Sequence, residues 1–312
     1  MNGLELSREY FFRAAAPELR REFLELYPRL AAGLAGNGSE CFGYDDEISR
    51  DHDWGVDFYI WTEENDKGFI PSLRDWKNEF FKRCPPEFPR KRSGYGARIG
   101  AMTRGEFYSG LIGAPEGPKT IAEWLRAPEE NFAMSVNGAV FMDGPGMFTQ
   151  IRDYLLGYFP EDIRLKRIAA KCMALAQTGQ YNHERTAKRR DWVTLRTVLS
   201  KFTDAAIALA FLLNKVYRPY YKWAFRALSG LPAPGNETAR LLMKIAESGG
   251  LDDASFSARQ RHILELCEVF TRALKTQGLS CSNDFFLASH GEEIQRRIKD
   301  EFLRSLPAQY DI

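Results

Sequence analysis

The chain has 312 residues, of which 44% are hydrophobic and 27% charged, with a formal net charge of +1. That length allows a sizeable core and two domains, and the composition excludes a disordered or fibrous chain. The charge balance excludes wholesale wrapping of nucleic acid, while leaving room for local basic patches. The five cysteines, Cys41, Cys84, Cys172, Cys267 and Cys281, are scattered, with no CxxC pair and no histidine at ligand spacing. They read as free thiols in a reducing compartment. The N-terminal stretch mixes charge with apolar residues, and the longest apolar run, Ala205 to Leu213, is short for a bilayer span. A cytoplasmic protein without a membrane partner is the expectation.

In chain order, Phe11, Phe12, Leu19, Phe23, Leu24, Tyr27 and Leu30 recur at spacings of three and four, which predicts an amphipathic helix over 7–32. Residues 34–61 change character: four glycines punctuate them, and the closing WGVDFYIW is rich in aromatic and β-branched residues that favour a strand. A helix near 72–83 and a Pro-rich loop, CPPEFPRKR, follow. Thr120-Ile-Ala-Glu123 has the pattern of a capping box, and NFAMSVNGAVFMDGPG predicts a strand ending at Asp143, stopped by Gly-Pro-Gly. Beyond residue 147 the spacing is helical over 147–159, 162–179, 190–228, 236–248, 257–277 and 290–305. Ser257 to Gln260 reads as a second capping box, and LSGLPAPGNE as the clearest break. The fold class predicted is α+β: a mixed sheet with helices over 1–160, then an all-helical domain over 161–312.

The chemistry concentrates in GSECFGYDDEISRDHDWGVDFYIW, residues 38–61, where seven carboxylates run into an apolar segment. In an extended strand, residues two apart share a face, so Asp51, Asp53, Gly55 and Asp57 would project together, away from His52, Trp54, Val56 and Phe58. At a rise of about 3.3 Å per residue, Asp51 and Asp53 lie roughly 6.6 Å apart, close enough to converge on a divalent ion. Like charges so close repel, and Mg²⁺ or Mn²⁺, which take oxygen ligands together with waters or phosphates, would offset that. Upstream, Gly38-Ser39 could let the backbone approach a phosphate while the Ser hydroxyl donates to it. The plain reading of such an acid pair, a solvated strand start, is weakened by this company.

Gly-Ser, eleven spacer residues and then Asp51-His52-Asp53 entering an apolar strand together resemble the nucleotidyltransferase fold of the DNA polymerase beta superfamily. More narrowly, GNGSECFGYDDEISRDHDWG, VNGAVFMDGPGMFTQIRDYL and LLNKVYRPYYKW resemble an uncharacterised bacterial family within it. The resemblance implies two carboxylates on one strand and a third on a neighbouring strand. They would bind two divalent ions that orient a nucleoside triphosphate and activate an acceptor hydroxyl, with loss of pyrophosphate. Carried over residue by residue, it assigns Asp51 and Asp53 to metal and Gly38 and Ser39 to triphosphate. Asp143 is the choice for the third carboxylate because it ends the next strand, with Asp57 as rival; a turn-initiating Asp143 is the plain alternative. His52 departs from the pattern, where an apolar residue is commoner.

Such enzymes often close the site with a helical domain that supplies cations. Two stretches offer them. TGQYNHERTAKRRDW carries His183, Glu184, Arg185, Lys188, Arg189 and Arg190, and NKVYRPYYKW carries Lys222 beside Trp223. Arg185 and Lys222 are taken as candidate triphosphate contacts, a charged helical run being more often a solvated face and tyrosines at such spacing more often packing.

No GxSxG, GxGxxG or GxxxxGK[ST] pattern competes. The expected function is transfer of a nucleoside monophosphate, AMP from ATP first, to a hydroxyl of a small molecule, a protein or an RNA end, with RNA disfavoured by the neutral charge. The alternatives are a DxD glycosyltransferase using a nucleotide sugar and a nucleotide-binding module without turnover.

Overall fold

The computed structural model describes residues 1–50, 54–91 and 100–312. It divides into two compact units, Met1–Gly157 and Tyr158–Ile312. The protein is α+β, a small mixed sheet with helices followed by a helical portion.

The first unit opens with α1 (Gly3–Tyr10) and α2 (Ala16–Glu22), joined by a π-helical turn at Phe11–Ala15, and then enters β1 (Ala31–Leu34). The helix predicted over 7–32 therefore ends early, and a strand begins inside it. The reason is steric. β1 is Ala-Ala-Gly-Leu, fully buried, and a Cβ on Gly33 would lie 2.4 Å from the carbonyl oxygen of Ala139. The middle of the sheet is chosen for thinness, and small residues carry no β-propensity signal.

The remaining strands are β2 (Trp54–Gly55), β3 (Tyr59–Thr62), β4 (Arg90–Lys91), β5 (Ala101–Thr103) and β6 (Ala139–Asp143). Four form one sheet in the order β5-β3-β1-β6, with β1 antiparallel to both β3 and β6 and β5 parallel to β3, while β2 pairs with β4 apart from it. WGVDFYIW is thus two strands, not one. Gly55, at φ +114, breaks it where a Cβ would meet the Pro89 carbonyl oxygen at 2.1 Å. The alternation expected from 51 to 58 does not run through that break.

The helices of this unit are α3 (Ile70–Lys82), α4 (Arg104–Ile112), α5 (Ile121–Trp124), α6 (Glu129–Val136) and α7 (Met147–Leu156). The Thr120–Glu123 capping box forms as expected. NFAMSV belongs to α6, so only the second half of the predicted strand is extended, though it ends at Asp143 as read. The core joins both layers: Tyr10, Phe11 and Leu19 from the N-terminal helices pack with Leu34, Phe58 and Ile60 from around the sheet and Leu73 and Phe80 from α3.

The second unit holds α8 (Glu161–Leu175), α9 (His183–Lys188), α10 (Trp192–Asn214), α11 (Tyr221–Ser229), α12 (Gly235–Glu247), α13 (Asp253–Thr276), α14 (Leu287–Arg296) and α15 (Glu301–Ser305). A π-helical stretch, Ala176–Asn182, joins α8 to α9. The helix predicted over 190–228 is broken after Asn214, where Lys215 turns left-handed at φ 52. Ser257 does not cap: α13 starts earlier, with Asp252 accepting from the Ser255 amide at 2.9 Å. α10 is the one helix among the described residues long and apolar enough to cross a membrane, and 56% of its apolar window is buried within the protein. Its apolar character is that of a core helix, with Phe202, Ala206, Leu209 and Phe211 all buried.

Candidate functional site

The candidate site lies at the C-terminal end of β1. The chain leaves Leu34 through Gly36 at φ 95 and Gly38 at φ 117, conformations that L side chains rarely adopt, and Ser39 then opens a one-turn 3₁₀ helix, Ser39–Phe42. Gly38 and Ser39 are therefore on a bare loop between a central strand and a helical turn. Asn137, just before β6, clamps the loop: its Oδ1 accepts from the Gly36 amide and its Nδ2 donates to the Gly36 carbonyl, both at 2.8 Å. The Gly138 amide donates to the Cys41 carbonyl at 2.7 Å. Sequence reasoning quoted VNGAVFMDGPG for its aspartate and passed over this asparagine. Its signal was present in the Asn-Gly pair, but the partner is 101 residues away.

Asp51 and Asp53, the expected metal ligands, lie outside the described residues, as does His52. Their neighbour Trp54 is described. Its Nε1 donates to Asp45 Oδ2 at 2.8 Å, and the Gly3 amide at the start of α1 donates to the same oxygen at 2.7 Å. Gly3 is pressed between the two arms: a Cβ there would stand 2.8 Å from Glu40 Cβ and 3.1 Å from Trp54 Nε1. Thus the residue after Ser39 and the residue after Asp53 meet across the first turn of α1. Asp45 Oδ1 is buried and makes no hydrogen bond.

The two candidates for a third carboxylate are held elsewhere. The β1–β6 register pairs Asp143 with Ala31 and Ala139 with Leu34, so Asp143 stands at the opposite end of β1 from Gly38 and Ser39. Its Oδ2 accepts from the Thr149 amide at 2.8 Å in the first turn of α7, while Oδ1 is buried without a hydrogen bond. This is the cap-and-turn role that Asp-Gly-Pro-Gly also predicts. Asp57 is fully buried, ion-paired to Lys77 Nζ at 2.7 Å and accepting from the Phe58 amide at 2.8 Å. A carboxylate already neutralised by a buried ammonium is a poor ligand for a second cation. Among the described residues, no three His, Cys, Asp or Glu side chains are grouped to hold a metal.

Lys222 and Arg185 belong to the helical unit, and both are exposed. Lys222 Nζ lies 5.1 Å from the Trp223 ring on α11, and the Arg185 guanidinium 4.7 Å from the ring of Tyr181. His183, two residues from Arg185 in the same charged run, is by contrast fully buried.

A family described as a domain of unknown function (DUF4037) matches residues 124–224. The matched stretch takes in Asn137, Asp143, Arg185 and Lys222 but not Gly38, Ser39, Asp51 or Asp53, and its description names no activity. No curated protein matches the chain, and no solved structure does.

Proposed function

We propose that this chain is a metal-dependent nucleotidyltransferase that moves a nucleoside monophosphate, most simply AMP from ATP, to a hydroxyl of an acceptor with release of pyrophosphate. The observation that carries the proposal is the meeting of the two motif flanks, Glu40 and Trp54, at Gly3 beside the Gly36–Gly38 loop. A loop stripped of Cβ atoms by glycine lets phosphate oxygens reach main-chain N–H groups. Asn137 stiffens that loop from the β6 side, which keeps the amides pointed without further ordering cost when nucleotide binds. Mg²⁺ or Mn²⁺, with Asp51 and Asp53 as the expected ligands, would supply the charge neutralisation that triphosphate chemistry requires. Of the described acids, Asp45, with one buried oxygen unpaired beside Trp54, is a better candidate to support that pair than Asp143.

β1, the strand that leads into the acidic segment, is antiparallel to both of its sheet neighbours, β3 and β6, so it is not paired as a strand of a parallel βαβ unit of the doubly wound kind. That favours triphosphate over nucleotide sugar as donor. A cytoplasmic setting and a helical domain that closes over the nucleotide through Arg185 and Lys222 belong to the same reading.

The test is a thermal-shift titration with ATP, CTP, GTP and UTP, each with and without Mg²⁺, on wild type and the Asp51→Asn, Asp53→Asn double variant. A ligand bound only to the folded state raises Tm by mass action. The expected result is a Mg²⁺-dependent rise in wild type that is lost in the double variant, accompanied by Mg²⁺-dependent pyrophosphate release once an acceptor is supplied. No shift with any triphosphate, or a shift with UDP-sugars alone, overturns the assignment. A shift without turnover under any acceptor condition reduces the chain to a nucleotide-binding module.

A further inference from the structure

The loop that carries Gly38 and Ser39 is gripped from one short corner of the chain, residues 136–138, where α6 ends. Gly138, at φ 65, packs so closely on the end of β1 that a Cβ would lie 1.9 Å from the Leu34 carbonyl oxygen. Asn137 holds both backbone groups of Gly36, and the Gly138 amide holds the Cys41 carbonyl. The corner thus touches the chain before the loop, inside it and after it. What holds the corner in turn is the guanidinium of Arg152, on α7. Its Nη2 donates to the carbonyl oxygens of Val136 at 2.8 Å, Gly138 at 3.2 Å and Asn137 at 3.3 Å, and its Nε to that of Val136 at 3.2 Å.

The last carbonyls of an α-helix have no partner inside it, and they form the negative end of its dipole. α6 does not close them with a left-handed turn: its C-cap, Asn137, is extended at φ −78, ψ −174. A cation on the neighbouring helix takes that part instead. Every hydrogen bond that Arg152 makes among the described residues goes to this corner. The side chain is half-buried, and burial pushes its pKa down, with the Asp153 carboxylate opposing that.

We infer that Arg152 is a positioning residue for the phosphate loop: by gathering the 136–138 carbonyls it fixes Asn137 and Gly138, and through them the main-chain amides around Gly38 and Ser39. The inference rests on the nucleotide reading above. Gly36 and Gly38, both at positive φ, give the loop a freedom that binding would have to remove unless the fold removes it first. A guanidinium suits that task because its planar fork donates to several carbonyls in fixed directions, where an ammonium is a point charge on a flexible stem. Arg152 does not itself touch nucleotide in this account. It acts through Asn137 on Gly36 and through Gly138 on Leu34 and Cys41.

The experiment pairs two readouts on the full chain, at a temperature where every variant is folded: hydrogen exchange of the Gly36 and Gly138 amides followed by NMR without nucleotide, and calorimetric titration with ATP and Mg²⁺. Arg152→Met should speed exchange at both amides and weaken ATP about tenfold, the ordering cost having been returned to the loop. Arg152→Lys keeps the charge and three donors and should recover most of both. Arg74→Met is the control. The Arg74 Nε donates to the Ala101 carbonyl at 2.8 Å on β5, the opposite edge of the sheet from β6, so the variant removes a bond of the same kind away from the corner. It should leave exchange at Gly36 and ATP affinity unchanged. Arg152→Gln, which loses Nη2, carries the same expectation if Arg152→Met does not fold. Unchanged exchange in the Arg152 variants overturns the inference whatever nucleotide does; so does faster exchange with undiminished ATP affinity, or an equal loss in Arg74→Met. No binding of any triphosphate to wild type overturns the nucleotide reading, and this use of the loop with it.

Discussion

Both units bury cations, and Lys77 of the first and Arg259 of the second are treated in different ways. In the first unit Lys77, 3% exposed, donates to Asp57, fully buried, at 2.7 Å, with its Nζ also 5.1 Å from the Phe58 ring and 5.4 Å from that of Phe81. In the second unit Arg259, equally buried, is held by an imidazole and two carbonyls, with the Asp252 charge acting on it without a hydrogen bond between them. The first charge is neutralised within the fold and serves to join α3 to the segment before β3. The second is held by neutral hydrogen-bond acceptors, with its carboxylate at a distance.

The contrast can be broken most sharply at Lys77. Lys77→Met takes the 2.7 Å ammonium from buried Asp57 and leaves the longer 3.8 Å pair with Arg90 in place, and should lower unfolding free energy by about 3 kcal/mol in a chemical denaturation series; adding Asp57→Asn should recover part of that loss. An uncharged clamp should cost less. Asn137→Ala removes two hydrogen bonds to Gly36, for about 2 kcal/mol of stability, and should weaken triphosphate binding beyond that, read as a smaller Mg²⁺-ATP thermal shift. Removing a cation whose hydrogen-bond partners are all neutral should cost less again: Arg259→Met is expected to lose about 1–2 kcal/mol by denaturant unfolding, short of the Lys77 variant.

The smallest effect concerns an anion held chiefly by neutral donors at the surface. Glu293 accepts from the Ser280 hydroxyl at 2.6 Å and from the amides of Cys281 and Ser282 at 3.0 Å, besides Arg297 at 2.6 Å. Led by the Ser280 bond, these hold its pKa down to about 2. A depressed carboxylate contributes stability above its unfolded value that is lost as pH falls through its folded one. Glu293→Gln should cost about 1 kcal/mol at neutral pH, discounted for its 21% exposure. The gap from wild type should close between about pH 4.5 and 2, as measured by Tm against pH.

Helical spacing and turn chemistry carried the class of the fold and most helices, because apolar periodicity and caps such as Thr120 are local. What was not local was not legible. β1 is invisible to strand propensity because its residues answer to Ala139 and Val140, more than a hundred positions away. Asp143 was read correctly as the end of a strand, yet its distance from Ser39 follows from register, which no short stretch encodes. His183 sits in a run of six charged or titratable side chains and looks like the rest of it. Its burial against Arg259 and Phe256 comes from a helix some 76 residues on.

That burial rests on counting. A π-helical turn, with its i→i+5 bonds, winds more loosely than the α-helix around it, and Ala176–Asn182 ends directly before His183. Each residue of an α-helix turns the chain by about 100°. A version of this chain one residue shorter across that turn would run straight from α8 into α9 and swing the imidazole away from Arg259. Deleting one residue between Ala176 and Asn182 should therefore undo the hold on Arg259 while every side chain that touches it is still present.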